Sequence, residues 1–253
     1  MAESSFKRQV GSWFCLPNPI ENPRYRVFCI PYAGGNAQAF HKWGTQFPRD
    51  EIFSLQLPGR AFRIREPCIR DCSELVFQIL EEMAPYLDIP FVLYGHSMGG
   101  LLAFELARGL RRMGGPTPSG LFISGRRAPQ TTGDNLVPFD SPDDDFWNAV
   151  GTLYGTPKAL LESADLKKML LPTFRADFEL LSKWSYKAEE PLSIPIWAIG
   201  GTHDPGIPPE AIVAWKEQTT SRFEYRMIEG GHMFLQQKEA ELLDYIRQAL
   251  DLF

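Results

Sequence analysis

Phe91-Val-Leu-Tyr-Gly-His-Ser-Met-Gly-Gly-Leu-Leu-Ala-Phe-Glu-Leu-Ala107 is the stretch on which the reading of this chain turns. Its first four residues form a short apolar, β-favouring run after Pro90 and predict a buried central strand. From Met98 the pattern is helical, apolar almost all round until Arg108. Between the two lies Gly95-His96-Ser97-Met98-Gly99, a match to G-x-S-x-G in the strand–turn–helix setting that the pattern needs. A turn this tight brings strand and helix backbones close together, which is why glycines flank the serine. Ser97 then projects at the strand's carboxyl end, over a helix amino terminus whose N–H groups can meet a developing negative charge. The competing reading is a Gly-rich turn with an incidental serine.

The rest of the chain sets bounds on that reading. At 253 residues it suits one large α/β domain. Composition is that of an ordinary globular protein, 44% apolar and 23% charged, without repeats. The net charge of −5 argues against non-specific nucleic-acid binding. No run of about 18 apolar residues exists, so a membrane span is not expected. The polar start, Met1-Ala-Glu-Ser-Ser-Phe-Lys-Arg, shows no secretory signal. Cys15, Cys29, Cys68 and Cys72 lack metal-ligand spacing, so no metal is expected. A reduced, cytoplasmic protein is the simplest reading.

Taken in order, residues 1–23 read as an irregular lead-in, pinned to the body by Trp13, Phe14 and Leu16. Strands are expected at Arg24–Ile30, Ile52–Leu57, Phe91–Tyr94, Leu121–Ser124, Ile194–Ile199 and Phe223–Ile228. Helical spacing appears over Ala37–Phe47, where Phe40, Trp43 and Phe47 read as core. A helix from about Ser73, its N-cap, to Leu87 carries the stripe Leu75, Ile79, Met83 and Leu87. Phe139 to Tyr186 has helical patterns and no strand, clearest over Asp165–Trp184. Helices at about Pro209–Gln218 and Lys238–Leu250 complete the alternation. The expected fold class is α/β: a mostly parallel central sheet with helices on both faces. Residues 1–253 form one domain, with a helical lid insertion at about 130–190.

Reactive loops in such sheets follow the carboxyl ends of strands. His41 sits on the early helix, and His96 packs beneath the turn. His203 and His232 both follow strands, and His232, beside glycines before the last helix, is free to reach Ser97. Asp204 is the only acid in the loop after its strand, whereas Gly125-Arg-Arg-Ala-Pro129 has none. The order Ser97, Asp204, His232 matches the Ser…Asp…His order of α/β-hydrolases. The chemistry calls for such a set. A serine hydroxyl needs a base, neutral imidazole can take and return its proton, and a carboxylate fixes the imidazole tautomer. Asp204 as a helix cap and His232 as a core histidine are the alternatives. An oxyanion hole would use the N–H of Met98 and that of Ala33 in the loop Tyr32-Ala33-Gly34-Gly35.

With these residues in place the chain resembles the type II thioesterases that accompany non-ribosomal peptide and polyketide synthases. The resemblance runs from Val27 to the end. Its landmarks are Phe28-Cys-Ile-Pro-Tyr-Ala-Gly-Gly, Leu57-Pro-Gly-Arg60, Gly95-His-Ser-Met-Gly-Gly100, Leu171-Pro-Thr-Phe-Arg-Ala-Asp-Phe178 and Gly230-Gly-His-Met-Phe234. Gly155-Thr-Pro with Leu160-Leu-Glu is similar to the family's lid. The resemblance implies an α/β-hydrolase that hydrolyses acyl thioesters on the phosphopantetheine arm of acyl or peptidyl carrier protein domains. It would clear mis-primed or stalled groups from a synthase with no cofactor of its own; separately, no long exposed apolar seam is evident in the sequence, so a monomer is expected. Medium-chain fatty acyl release from fatty acid synthase, and a general carboxylesterase, are the enzymatic alternatives; a catalytically silent binding protein is the third. Phe139, Phe146, Trp147 and Tyr154 are candidates for an acyl pocket or for lid core. Arg60, Arg63, Arg65, Arg126 and Arg127 are candidates for docking an acidic carrier or are solvated loop charges.

Overall fold

β1 (Arg8–Val10), β2 (Phe14–Leu16), β3 (Arg26–Ile30), β4 (Glu51–Leu55), β5 (Phe91–His96), β6 (Gly120–Ser124), β7 (Ile196–Gly201) and β8 (Phe223–Ile228) join in one sheet. Their order across it is β1-β2-β4-β3-β5-β6-β7-β8. The structure, a computed structural model, describes residues 8–132, 137–156 and 158–252. The start of the lead-in, part of the polar segment after β6 and Pro157 therefore lie outside the described residues. From β4 to β8 every pairing is parallel, whereas β1–β2 and β2–β4 are antiparallel.

The six strands of the parallel part fall where β-favouring apolar runs end at glycine or proline. In β3 to β7 the side chains alternate between two buried faces, whereas β8, at the edge of the sheet, is only partly buried. Leu93 packs on one side with Leu101, Phe104 and Trp215, while Val92 and Tyr94 pack on the other with Phe40, Trp43 and Ile246. A strand covered on both faces needs no polar positions, hence the continuous apolar run of Phe91–Tyr94. Register aligns the strand ends: Ile30 opposite Gly95, His96 opposite Ser124, Ser124 opposite Ile199. The loops that follow are thereby brought to one edge.

The helices are α1 (Trp43–Gln46), α2 (Cys72–Met83), α3 (Met98–Met113), α4 (Asp143–Tyr154), α5 (Lys158–Leu161), α6 (Ala164–Lys183), α7 (Pro209–Val213), α8 (Phe234–Gln237) and α9 (Glu239–Leu250). α4, α5 and α6 all fall between β6 and β7. None of the helices among the described residues is long and apolar enough to cross a membrane.

Three expectations are corrected. The described part of the lead-in is not irregular throughout: Gly11, at φ +59, turns β1 into β2, and β2 pairs with β4, while residues 17–23 are without helix or strand. Phe14 anchors the hairpin, its ring edge-on to Phe28 and Phe53 at 5.6 Å each. Strands of three residues are too short for alternation to show in sequence. The cap of α2 is Asp71, which accepts the Glu74 N–H at 2.9 Å, so the helix starts one residue before Ser73. It ends at Met83 because Pro85 directs the chain into a 3₁₀ turn. Ala37–Phe47 is not one helix but a 3₁₀ turn, Ala37–Phe40, followed by α1. Phe40, Trp43 and Phe47 are nonetheless fully buried.

Candidate active site

Ser97 joins β5 to α3 with φ +55 and ψ −116, a region that non-glycine residues occupy at a penalty of about 1–3 kcal/mol. The packing around it leaves no alternative. A Cβ on Gly95 would stand 1.9 Å from the Gly99 oxygen, and one on Gly99 would stand 2.1 Å from the Ile30 oxygen. Ser97 also donates its N–H to the Ser124 carbonyl at 2.7 Å, which fixes the turn to β6.

Asp204 follows β7, and His232 follows β8. The two loops are laced together: the His203 N–H reaches the Gly230 carbonyl at 2.8 Å, and the Thr202 N–H reaches the Ile228 carbonyl at 2.9 Å. This lacing sets Asp204 Oδ2 2.7 Å from His232 Nδ1, while His232 Nε2 lies 2.9 Å from Ser97 Oγ. A carboxylate only accepts, so Nδ1 carries the proton and Nε2 accepts from the Ser97 hydroxyl. Asp204 Oδ1 is held by the Gly206 N–H at 3.0 Å. All three residues are at most 8% exposed. The structure thus brings Ser97, Asp204 and His232 into one hydrogen-bonded line.

The other histidines lie apart from that line. His41 and His203 are exposed. His96 is wholly buried beneath the turn, between Ser124 Oγ and the His232 carbonyl at 2.9 Å each. Burial, reinforced by His232, holds its pKa well below the ordinary imidazole range.

Ala33 and Met98 are buried beside this site. Met98 opens α3, so its N–H has no intrahelical acceptor. In the loop after β3, the Gly35 N–H goes to the Tyr32 carbonyl at 2.9 Å and the Gly34 N–H to Asp177 Oδ2 at 2.7 Å. The Ala33 N–H has no acceptor among the described residues.

A cavity of about 270 Å³ opens beside His232, lined by Ala33, Trp147, Val150, Tyr154, Leu170 and Phe174 among others. Trp147 and Tyr154 are therefore pocket residues, and the Tyr154 ring lies 4.9 Å from that of His232. Phe146 packs instead within the helices between β6 and β7, edge-on to Phe178 at 5.4 Å. Phe139 packs against the same core.

The candidate docking arginines are a correction. Arg60, Arg63, Arg126 and Arg127 are only 5–6% exposed. Arg63 spends its guanidinium on the Gln56 carbonyl, on Glu66 and on the face of Trp13, 4.2 Å away. Arg127 donates to the carbonyls of Thr132 and Gly206. Only Arg65 of the five is exposed. What the sequence concealed was the bidentate pairing of Arg60 with Asp177, at 2.7 Å on both arms. The one available signal was that the two residues belong to separate family-like pieces.

The family model for the thioesterase domain matches residues 25–250. The chain is 40% identical over 249 residues to the gramicidin S biosynthesis protein GrsT of Aneurinibacillus migulanus, covering 98% of this chain and 97% of GrsT. It is similar in structure to BorB, a type II thioesterase from the borrelidin biosynthetic cluster. The TM-score is 0.86 and the identity 31%, over 95% of this chain and 98% of that one. YbtT, a type II thioesterase from the yersiniabactin NRPS/PKS pathway, gives a TM-score of 0.79 at 28% identity, over 91% and 94% of the two chains. The α/β-hydrolase architecture is theirs, and the chain belongs to the thioesterase family and is a thioester hydrolase.

Proposed function

We propose that this enzyme hydrolyses acyl thioesters carried on the phosphopantetheine arm of carrier-protein domains, and so removes mis-primed or stalled acyl groups from a non-ribosomal peptide or polyketide synthase. The observation that carries the reading is the line Asp204–His232–Ser97, at 2.7 and 2.9 Å, opening beside an apolar cavity. Relatives of full length that belong to peptide and polyketide pathways support the substrate class.

In this reading Ser97 Oγ attacks the thioester carbonyl as its proton passes to His232 Nε2. The carbonyl oxygen becomes an oxyanion, met by the N–H groups of Ala33 and Met98. Collapse breaks the C–S bond, and the pantetheine thiolate takes the proton from His232. A water, deprotonated by His232, then attacks the acyl-serine ester, and the free acid leaves as Ser97 recovers its proton. Asp204 keeps the imidazole in the required tautomer and stabilises the imidazolium between steps. The acyl chain lies in the cavity lined by Trp147, Tyr154 and Leu170, whose volume of about 270 Å³ falls just below the roughly 300–1,000 Å³ usual for ligand pockets. The chemistry needs no metal or cofactor of the enzyme's own. The reading includes a monomer acting in the cytoplasm.

Single-turnover hydrolysis of acetyl-, hexanoyl- and decanoyl-carrier protein by wild type and Ser97→Ala tests it. Cleavage by wild type with loss in Ser97→Ala is expected. Wild type that leaves carrier thioesters intact while cleaving simple esters would overturn the substrate assignment.

A further inference from the structure

The pieces Leu57-Pro-Gly-Arg60 and Arg175-Ala-Asp-Phe178 are left without a role by the triad, yet they meet at one point. Asp177 of α6 is 2% exposed and Arg60, in the loop after β4, 5%. Their fork-to-fork pairing would be a structural pair like any other, except for what else the carboxylate holds. Asp177 Oδ2, already bonded to Arg60, also accepts the Gly34 N–H at 2.7 Å, and Arg60 donates to the Gly35 carbonyl at 3.2 Å. The Ala33–Gly34 and Gly35–Asn36 peptides of the loop that offers Ala33 are thus clamped from one side. Around this clamp the Thr173 hydroxyl reaches the Gly59 carbonyl at 3.0 Å, and Gln56 Nε2 reaches the Arg60 carbonyl at 3.0 Å. Gly34, at φ +74, lies under Phe174: a Cβ there would stand 2.3 Å from the ring. The loop is therefore positioned by an inserted helix as well as by the strand it leaves.

We propose that Asp177 is a positioning residue for the oxyanion hole, acting through the Gly34 peptide, with Arg60 neutralising the carboxylate. By taking the Gly34 N–H, Asp177 fixes the Ala33–Gly34 peptide plane next to the Ala33 N–H, which has no acceptor among the described residues. A bare carboxylate this close to a developing oxyanion would oppose it; the bidentate guanidinium removes that penalty. The inference rests on the assignment of Ser97 and Ala33 under the proposed function.

Asp177→Ala and Asp177→Asn separate this role from a structural one. Both lose the charge pair, so a purely structural Asp177 predicts that their activities fall together, in step with stability. Positioning predicts a split. The amide of Asp177→Asn can still present an oxygen to Gly34 and recovers most of kcat, whereas Asp177→Ala loses about 10- to 100-fold in kcat on hexanoyl-pantetheine with KM little changed. Inhibition by hexylboronic acid, whose Ser97 adduct puts an anionic oxygen in the hole, should weaken in Asp177→Ala by the same factor. Thermal unfolding is recorded for each protein. Should Asp177→Ala be unfolded at assay temperature, Asp177→Glu takes its place: it keeps the charge but displaces the acceptor, and the kcat loss is expected to persist. A folded Asp177→Ala with wild-type kcat, or an Asp177→Asn protein as slow as Asp177→Ala, overturns the clamp alone. Wild type that cleaves no thioester overturns the function and the clamp with it.

Discussion

The buried imidazole of His96 donates its Nε2 proton to the backbone carbonyl of His232, 2.9 Å away. A carbonyl only accepts, so this bond fixes the His96 tautomer, and Nδ1 accepts from the Ser124 hydroxyl. His96, beneath Ser97, thus props the loop that carries His232, and its burial disfavours the charged form of the ring.

Stability should fall in mild acid for this reason. Burial first, then the neighbouring His232, holds the His96 pKa well below its ordinary value. In the unfolded chain it titrates near the reference value of about 6.5. Above that pH neither state binds the proton, and His96 contributes no pH dependence. Below it the unfolded state gains a proton that the folded state refuses, so stability drops by up to about 1.4 kcal/mol per pH unit until the folded pKa is reached. Urea unfolding at pH 7.5, 6.5 and 5.5 should show this slope in wild type and a shallower one in His96→Gln. Equal slopes would mean that His96 does not carry the dependence.

The Asp204 geometry predicts a sharp effect for a small change. The Gly206 N–H holds one carboxylate oxygen at 3.0 Å, leaving the other for His232. In Asp204→Asn the oxygen stays with Gly206 and the NH₂ turns toward Nδ1. The imidazole must then carry its proton on Nε2, facing Ser97, where it can no longer act as a base. A fall in kcat of about 10⁴-fold is expected, with KM nearly unchanged, as for the same substitution in other serine triads. A loss below about 10-fold in single-turnover acylation would refute the tautomer argument.

The glycines at the turn should be intolerant for a reason quite separate from chemistry. Gly95→Ala and Gly99→Ala each drive a methyl into backbone oxygens, at 1.9 Å and 2.1 Å, which no rotamer can relieve. Losses above about 3 kcal/mol, beyond ordinary overpacking, are expected. Gly114 caps α3 at φ +64 with nothing within 4 Å of its absent Cβ. Gly114→Ala should lose only about 1 kcal/mol, the penalty of the left-handed backbone alone. Chemical denaturation of the three variants ranks them directly, and a Gly99→Ala protein as stable as Gly114→Ala would contradict the packing.

How far these features were legible depended on whether the cause was local. Strands β3 to β7 could be read because each is an apolar, β-favouring run stopped by glycine or proline, β8 because its β-favouring residues end before Gly230-Gly231, and a parallel sheet followed from the helices between them. Ser97, Asp204 and His232 could be chosen because a parallel sheet gathers its strand-end loops, and Asp204 was the only acid in its loop. The hairpin of β1 and β2 was invisible, its three-residue strands being held by Phe14 against a distant core. Arg60 and Asp177 were harder still: they meet across 117 residues of sequence, and no periodicity announces such a contact. Arginines in a polar loop read as solvated because buried charges are rare, so four of the five lay on the wrong side of that expectation.

Acyl selectivity offers the remaining test, and Leu170 of α6 is the position to use. It lines the cavity of about 270 Å³ together with Trp147, Val150 and Phe174, and it is only half-buried, so a larger side chain there need not displace the core. Leu170→Trp takes up part of this cavity, and the expectation is that a long acyl chain loses room there before a short one does. Acetyl groups end near Ser97 and should be cleaved as before, within about twofold. Each methylene that can no longer be buried forfeits roughly 0.8 kcal/mol of binding. A decanoyl chain that loses three such contacts would fall by more than about 10-fold in kcat/KM. Competition between acetyl- and decanoyl-carrier protein in one reaction reads the ratio without error from enzyme concentration. Were both substrates to fall together, the substitution would have disturbed the helix rather than the cavity; were decanoyl cleavage unchanged, the acyl chain would have to lie elsewhere.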